Sequence, residues 1–349
     1  MANLFTPGAG WVLTTTGVFT TSDAGKSWAD VTPPTGPQMP LETAFFLDQQ
    51  DAWAVVRSPQ VDDAHDSVPL DIFSSQDGGQ TWTKHHNDIL ATRLDTPGPV
   101  YLTFSDHKHG WLVVDLGSHA GFVYFIAYRT IDGGVTWSKA AFPQSAPVVF
   151  VNATDGFSAY AALGPPQTGT FVSHDGGESW SRLIVPLATG SAATYFQLPI
   201  FSDTANGVLA GWIPDPASGA AAGGVFYMSS NGGSSWTFAA NLANPDPNTS
   251  AGPASSLGPA SWMASFYTTG AATRLAITRD GGRTWAWLTT FLPGALSQPI
   301  SWSGSTGWAI TTQTGCRSFK TDCYSNTGLY ATPDAGNTWT QLLVGRTGA

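Results

Sequence analysis

Apolar residues recur along the chain in short runs rather than at helical spacing. Leu70-Asp71-Ile72-Phe73 and Gly224-Val225-Phe226-Tyr227 have strand length, and each leads into a turn-forming segment. That segment is an eight-residue pattern, Ser/Thr-x-Asp-x-Gly-x-Ser/Thr-Trp. It recurs seven times: at Thr21–Trp28, Ser75–Trp82, Thr130–Trp137, Ser173–Trp180, Ser229–Trp236, Thr278–Trp285 and Thr332–Trp339. The third position is Asp23, Asp77, Asp132, Asp175, Asp280 or Asp334, and in the fifth copy Asn231. The closing tryptophans lie 54, 55, 43, 56, 49 and 54 residues apart, a period near that of a four-stranded blade.

The pattern is readable as chemistry. An Asp or Asn side chain accepts hydrogen bonds from nearby backbone N–H groups and so fixes a turn. The Gly supplies a left-handed conformation without steric cost. The Trp opens the next strand with a large apolar surface. Upstream of each copy, a small residue precedes an aromatic or apolar one: Gly10-Trp11, Ala52-Trp53, Gly110-Trp111, Gly156-Phe157, Gly207-Val208, Ser261-Trp262 and Gly307-Trp308. Phe46, Phe104, Phe150 and Phe201 stand seven positions earlier in their repeats. Each repeat thus predicts strand A, a short turn, strand B, a variable loop, strand C, the eight-residue box and strand D.

The expected fold is all-β, one domain over residues 1–349. It is a seven-bladed β-propeller with a box between strands C and D of each blade. The blades fall near 1–34, 35–87, 88–142, 143–186, 187–242, 243–292 and 293–349. Blade 1 is expected to be the least complete, because Leu4 leaves few residues for its strand A. Of the 15 tryptophans, seven lie in boxes and five in strand B, which leaves Trp212, Trp287 and Trp302 outside the repeat.

This scaffold resembles the Asp-box repeats of bacterial neuraminidases. With the Gly-Trp strand added, it resembles the photosystem II assembly and stability factor family of seven-bladed propellers, and related exported bacterial propellers. The resemblance spans essentially the whole chain. It implies a fold far more strongly than a function, because function resides in sites grafted on folds. That family also carries an arginine-rich patch, whereas this chain scatters nine Arg among its blades, so photosystem assembly is not carried over.

Charge narrows the partners. The net charge is −10, only 11% of residues are charged, and the 14 Lys and Arg form no basic run. Nucleic acid and anionic membrane surfaces both need a positive patch and are excluded. No apolar run reaches the roughly 18–20 residues of a membrane span. Cys316 and Cys323 share one Gly/Ser/Thr-rich stretch and are expected to form a local disulfide, which points to an oxidising compartment. The expected location is extracellular, periplasmic or on the cell surface. The opening Met1-Ala2-Asn3-Leu4 is read as a start that replaces an export signal.

Two enzyme classes share the scaffold. The resemblance to sialidases implies an arginine triad and a Tyr–Glu pair, but the chain has only Glu42 and Glu178, one at the start of a strand and one in a box. Xyloglucan-cleaving glycosidases resemble two such propellers clamping a glucan, with paired Asp residues as acid and base. Asp115, Asp155 and Asp203 are the candidates, yet a single propeller lacks the cleft. The expectation is therefore a non-catalytic binding or assembly scaffold without cofactor, monomeric, recognising a protein or a glycan. The alternative is a lectin or a glycan-active enzyme.

Loop lengths point to a binding face. From the strand B apolar residue to the box the separations are 10, 22, 19, 16, 21, 16 and 24 residues, so variation falls opposite the boxes. The blade 2 loop carries Asp62, Asp63, His65 and Asp66, blade 3 adds His119, and Trp212 leads into the blade 5 loop as a candidate exposed ring. Clustered carboxylates suit Ca²⁺, and His65 beside Asp66 suits a transition metal, but the spacing matches no calcium loop and no metal is expected. Arg279 and Arg283 in the blade 6 box, like Arg274, read as a solvated face.

Overall fold

A computed structural model describes residues 1–35, 40–58, 67–85, 90–92, 98–119, 122–143, 147–160, 169–186, 195–214, 221–244, 246, 249–268, 272–318 and 321–348. Among them there is no helix. Seven antiparallel sheets follow one another along the chain, each with its four main strands in sequence order. The protein is a seven-bladed β-propeller.

Blade 2 shows the plan. Strand A is Leu41–Phe46, B is Ala52–Arg57, C is Ser67–Ser75 and D is Thr83–His85. Strand A pairs with B from Leu41↔Val56 to Phe46↔Ala52, and B pairs with C from Ala52↔Ser75 to Arg57↔Leu70. Blades 3 and 4 repeat it with strands B and C at Gly110–His119 and Phe122–Thr130, then Gly156–Tyr160 and Gly169–Ser173. In blades 5, 6 and 7 strand A is split into two short pieces that both pair with strand B, as Tyr195–Phe196 and Ile200–Phe201 do in blade 5.

Blade 1 corrects the expectation of an incomplete blade. Its strand A, Ala2–Thr6, is five residues long, and all four strands form. The N-terminal residues are held by side chains of blade 7: the Leu4 N–H donates to Ser301 Oγ at 2.9 Å, and Gln298 Nε2 donates to the Ala2 carbonyl at 2.6 Å.

The strands group into two compact units. One holds residues 11–20 and 28–183; the other holds 1–10, 21–27 and 184–349. In the first, an aromatic chain sets the packing. Trp11 stacks on Phe46, Trp53 on Phe104 and Trp111 on Phe150, so the strand B ring of one blade lies against strand A of the next. Each Phe also meets the box Trp of its own blade edge-on, as Phe46 meets Trp82 and Phe104 meets Trp137. The Nε1 of Trp53 donates to the Gly133 carbonyl at 2.7 Å and that of Trp111 to the Gly176 carbonyl at 2.9 Å, so these two strand B rings are tied to the box of the following blade.

The second unit keeps the principle with other residues. Val208 replaces the strand B aromatic of blade 5, and Phe226 from strand C, fully buried, reaches Trp262 and Trp285 instead. Trp302 belongs to the repeat after all. It sits in strand A of blade 7 opposite Gly307, where Phe46 sits opposite Ala52, and meets its box residue Trp339 at 6.4 Å.

Candidate functional site

All seven boxes fold alike. In blade 2, Ser75 Oγ donates to Asp77 Oδ1 (2.8 Å) and accepts the N–H of Gly79 (2.8 Å); Oδ1 also accepts the Thr81 N–H, and Oδ2 accepts the Thr81 hydroxyl at 2.6 Å. Asp23, Asp132, Asp175, Asp280 and Asp334 repeat this set. Asn231 substitutes by donating its Nδ2 to Ser235 Oγ at 2.9 Å. The residue after the Asp donates its N–H to a carbonyl in the A–B turn of the same blade, Gly78 to Gln50 and Gly133 to Lys108, for example. Boxes and A–B turns therefore share one face.

These carboxylates are spent on the fold. The Ser27 hydroxyl and N–H push Asp23 down to about 2, and Ser179 and Thr284 do the same for Asp175 and Asp280.

On the box face, blades 2 and 3 enclose an open cleft of about 420 Å³, lined among others by Asp51, Trp53, Asp77, His85, His107 and Val135. His107 Nδ1 lies 2.9 Å from Asp51 Oδ2, joining the A–B turns of the two blades. His85 Nε2 lies 2.8 Å from Ser74 Oγ; burial pushes its pKa down and Asp132 opposes that. Val135, which lines the cleft, is 50% exposed, and Ile131 of the same box is 65% exposed. They fill the two variable positions of the blade 3 box. The same positions elsewhere hold Ser22 and Lys26, Gln76 and Gln80, His174 and Glu178, Ser230 and Ser234, Arg279 and Arg283, and Pro333 and Asn337.

Other residues singled out by sequence fall as follows. Asp62, Asp63, His65 and Asp66 lie outside the described residues. His119 ends strand B of blade 3 opposite Phe122, and only its backbone is described. Trp212 is not an exposed ring: strand B of blade 5 runs on to Pro214, and Trp212 is 7% exposed, edge-on to Phe226 and Phe266. Arg274 is not solvated either, since its guanidinium packs 4.9 Å over the Trp287 ring. Cys316 and Cys323 are register partners across the blade 7 hairpin.

Two of the three glycosidase candidates, Asp155 and Asp203, are engaged elsewhere. Burial disfavours the charged form of Asp155, but hydrogen bonds from His174, Asn152 and Thr154 outweigh it and hold the carboxyl below its ordinary value. Asn206 does the same for Asp203. Glu42 is bound to Arg57 at 2.6 Å and Glu178 to Arg129 at 2.5 Å.

A model of the BNR/Asp-box repeat matches residues 171–182, which span the fourth box. The chain is an Asp-box propeller. Among solved structures, YCF48 bound to D1 peptide is similar at 16% identity over 88% of this chain and 87% of that one, with a TM-score of 0.55. YCF48 from Cyanidioschyzon merolae follows at 16% identity, 88% and 90% coverage and a TM-score of 0.53. The GH74 xyloglucanase from Xanthomonas campestris matches at 16% identity and a TM-score of 0.53 over 97% of this chain; the match spans 53% of that enzyme, about half its length. No curated protein sequence matches the chain. At this identity the Asp-box propeller shares a fold with these structures, and the fold carries no activity by itself.

Proposed function

We propose that this Asp-box propeller is a non-catalytic scaffold, exported from the cytoplasm, that binds a protein partner. One observation carries the reading: Ile131 and Val135 are exposed apolar residues at box positions that are polar or Pro in the other six blades, and Val135 lines an open cleft. Exposed apolar side chains beside a cleft with polar groups suit a docked polypeptide, whose own apolar residues they would cover. The peptide held by YCF48 shows that one propeller of similar fold performs such a task.

A glycosidase reading is weaker on chemical grounds. Its general acid must hold a proton near neutral pH, which requires a raised carboxyl pKa. Among the described residues, every carboxyl with a displaced pKa is displaced downward.

The test sets the purified protein against a peptide array, a glycan array and a panel of chromogenic glycosides. Peptide binding that is lost in an Ile131→Ser, Val135→Ser variant supports the reading. Glycoside turnover, or glycan binding without peptide binding, overturns it. A second variant with Asp62, Asp63 and Asp66 changed to Ser tells whether the loops opposite the boxes take part.

A further inference from the structure

The A–B turns of blades 2 to 5 share a design that breaks in blade 2. Each of these four turns begins with an Asp or Asn whose side-chain oxygen accepts N–H groups two and three residues on. Asp48 takes those of Gln50 and Asp51, Asp106 those of Lys108 and His109, and Asn152 those of Thr154 and Asp155. The fourth residue then pairs with the first. His109 Nδ1 lies 2.8 Å from Asp106, Asn152 donates to Asp155 at 2.8 Å, and Asn206 donates to Asp203 at 2.9 Å. Each of these turns sets a donor against an acceptor. In blade 2 both ends are acids, Asp48 and Asp51, and the partner comes from the neighbouring turn as His107.

The result is a mixed donor set, not merely an acidic patch. One ligand atom each from Asp48, Asp51 and His107 lie within 4.8 Å of one another. An imidazole nitrogen with two carboxylates suits a divalent first-row metal, which binds nitrogen and oxygen near 2 Å. Asp51 is held in place, its side chain only 15% exposed, whereas that of His107 is 64% exposed. Asp51 and His107 both line the cleft.

We infer that Asp48, Asp51 and His107 form a site for one divalent transition-metal ion such as Zn²⁺, bridging the A–B turns of blades 2 and 3. The site stands independently of the partner proposed above.

The test is calorimetric titration of chelator-treated protein with Zn²⁺, and with Co²⁺ while recording its visible absorption. Wild type should bind one ion. His107→Ala and Asp51→Asn should each weaken binding by more than roughly tenfold, since even indirect support of a metal ligand is worth that much. His109→Ala, in the adjacent turn, should leave binding unchanged. Melting temperatures of the metal-free variants show whether each is folded, and the Co²⁺ spectrum of wild type should carry the visible bands of a nitrogen- and oxygen-bound ion. Absence of Zn²⁺ and Co²⁺ binding to wild type overturns the site, and so does binding that survives in folded His107→Ala.

Discussion

Trp53 lies flat against Phe104, their ring centroids 3.6 Å apart and their planes 9° from parallel. One residue is in strand B of blade 2 and the other in strand A of blade 3, so the contact fastens two blades. Trp53→Ala should destabilise by about 3–5 kcal/mol, the cost of emptying a buried aromatic position. Trp53→Phe retains the stack but leaves the Gly133 carbonyl without its donor, and should cost about 1 kcal/mol. Denaturant titration of the two variants separates packing from hydrogen bonding.

The box carboxylates make stability acid-sensitive. Asp23, Asp175 and Asp280 titrate at about 2 in the folded protein, below the ordinary value of 3.8, because Ser27, Ser179 and Thr284 bond their charged forms. A depressed folded-state pKa contributes stability that is complete above the unfolded value and is lost as pH falls through the folded one. The melting temperature should therefore drop between about pH 4 and pH 2. Asp→Asn changes at these three boxes should flatten that fall, while Asn231→Asp should steepen it.

Two boxes are strained. Ala24 (φ 63°) and Ala335 (φ 56°) occupy the left-handed position that the other five boxes give to Gly. An L-residue there costs about 1–2 kcal/mol, partly offset by the greater chain entropy that Gly loses on folding. Ala335→Gly should thus gain about 0.5–1 kcal/mol in thermal or denaturant unfolding. The reverse change, Gly78→Ala, places a Cβ 2.7 Å from the Gln49 carbonyl oxygen and should destabilise by more than that gain.

The fold was legible because the same eight residues write the same turn seven times, each with a side-chain oxygen aimed at its own backbone. The errors came from residues whose meaning depends on a neighbour. Trp212 looked like a loop residue because the sequence does not reveal that strand B of blade 5 continues to Pro214. Ala2–Thr6 looked too short because Ser301 and Gln298, its anchors, are remote in sequence. The candidate site was harder still. Asp51 and His107 meet only because the A–B turns of successive blades lie side by side. A signal did exist at Ile131 and Val135, whose apolar character breaks a polar pattern, but box positions read first as scaffolding.

Cys316 and Cys323 face each other in the hairpin register of blade 7. We predict that they are bonded in the protein prepared under oxidising conditions. The intact mass without reductant should be lower by two hydrogens than after reduction. Reduction should cost roughly 2–3 kcal/mol in the chain-entropy account of so short a loop. An unchanged mass on reduction would contradict the pairing and weaken the argument for export.

Each box secures its turn with its hydroxyls, its carboxylate or amide and its backbone, and asks little of its second and sixth side chains: only Gln80 and Asn337 add a bond, each to the carbonyl of its own box Asp. Those two positions already range from Ser230 and Ser234 to Arg279 and Arg283 to Ile131 and Val135. The chain thereby separates what it must keep from what it can vary. A mutation at such a position rewrites surface chemistry while the hydrogen bonds that hold the blade persist. For a lineage of propellers, new specificity is then reachable by single substitutions that never pass through an unfolded ancestor.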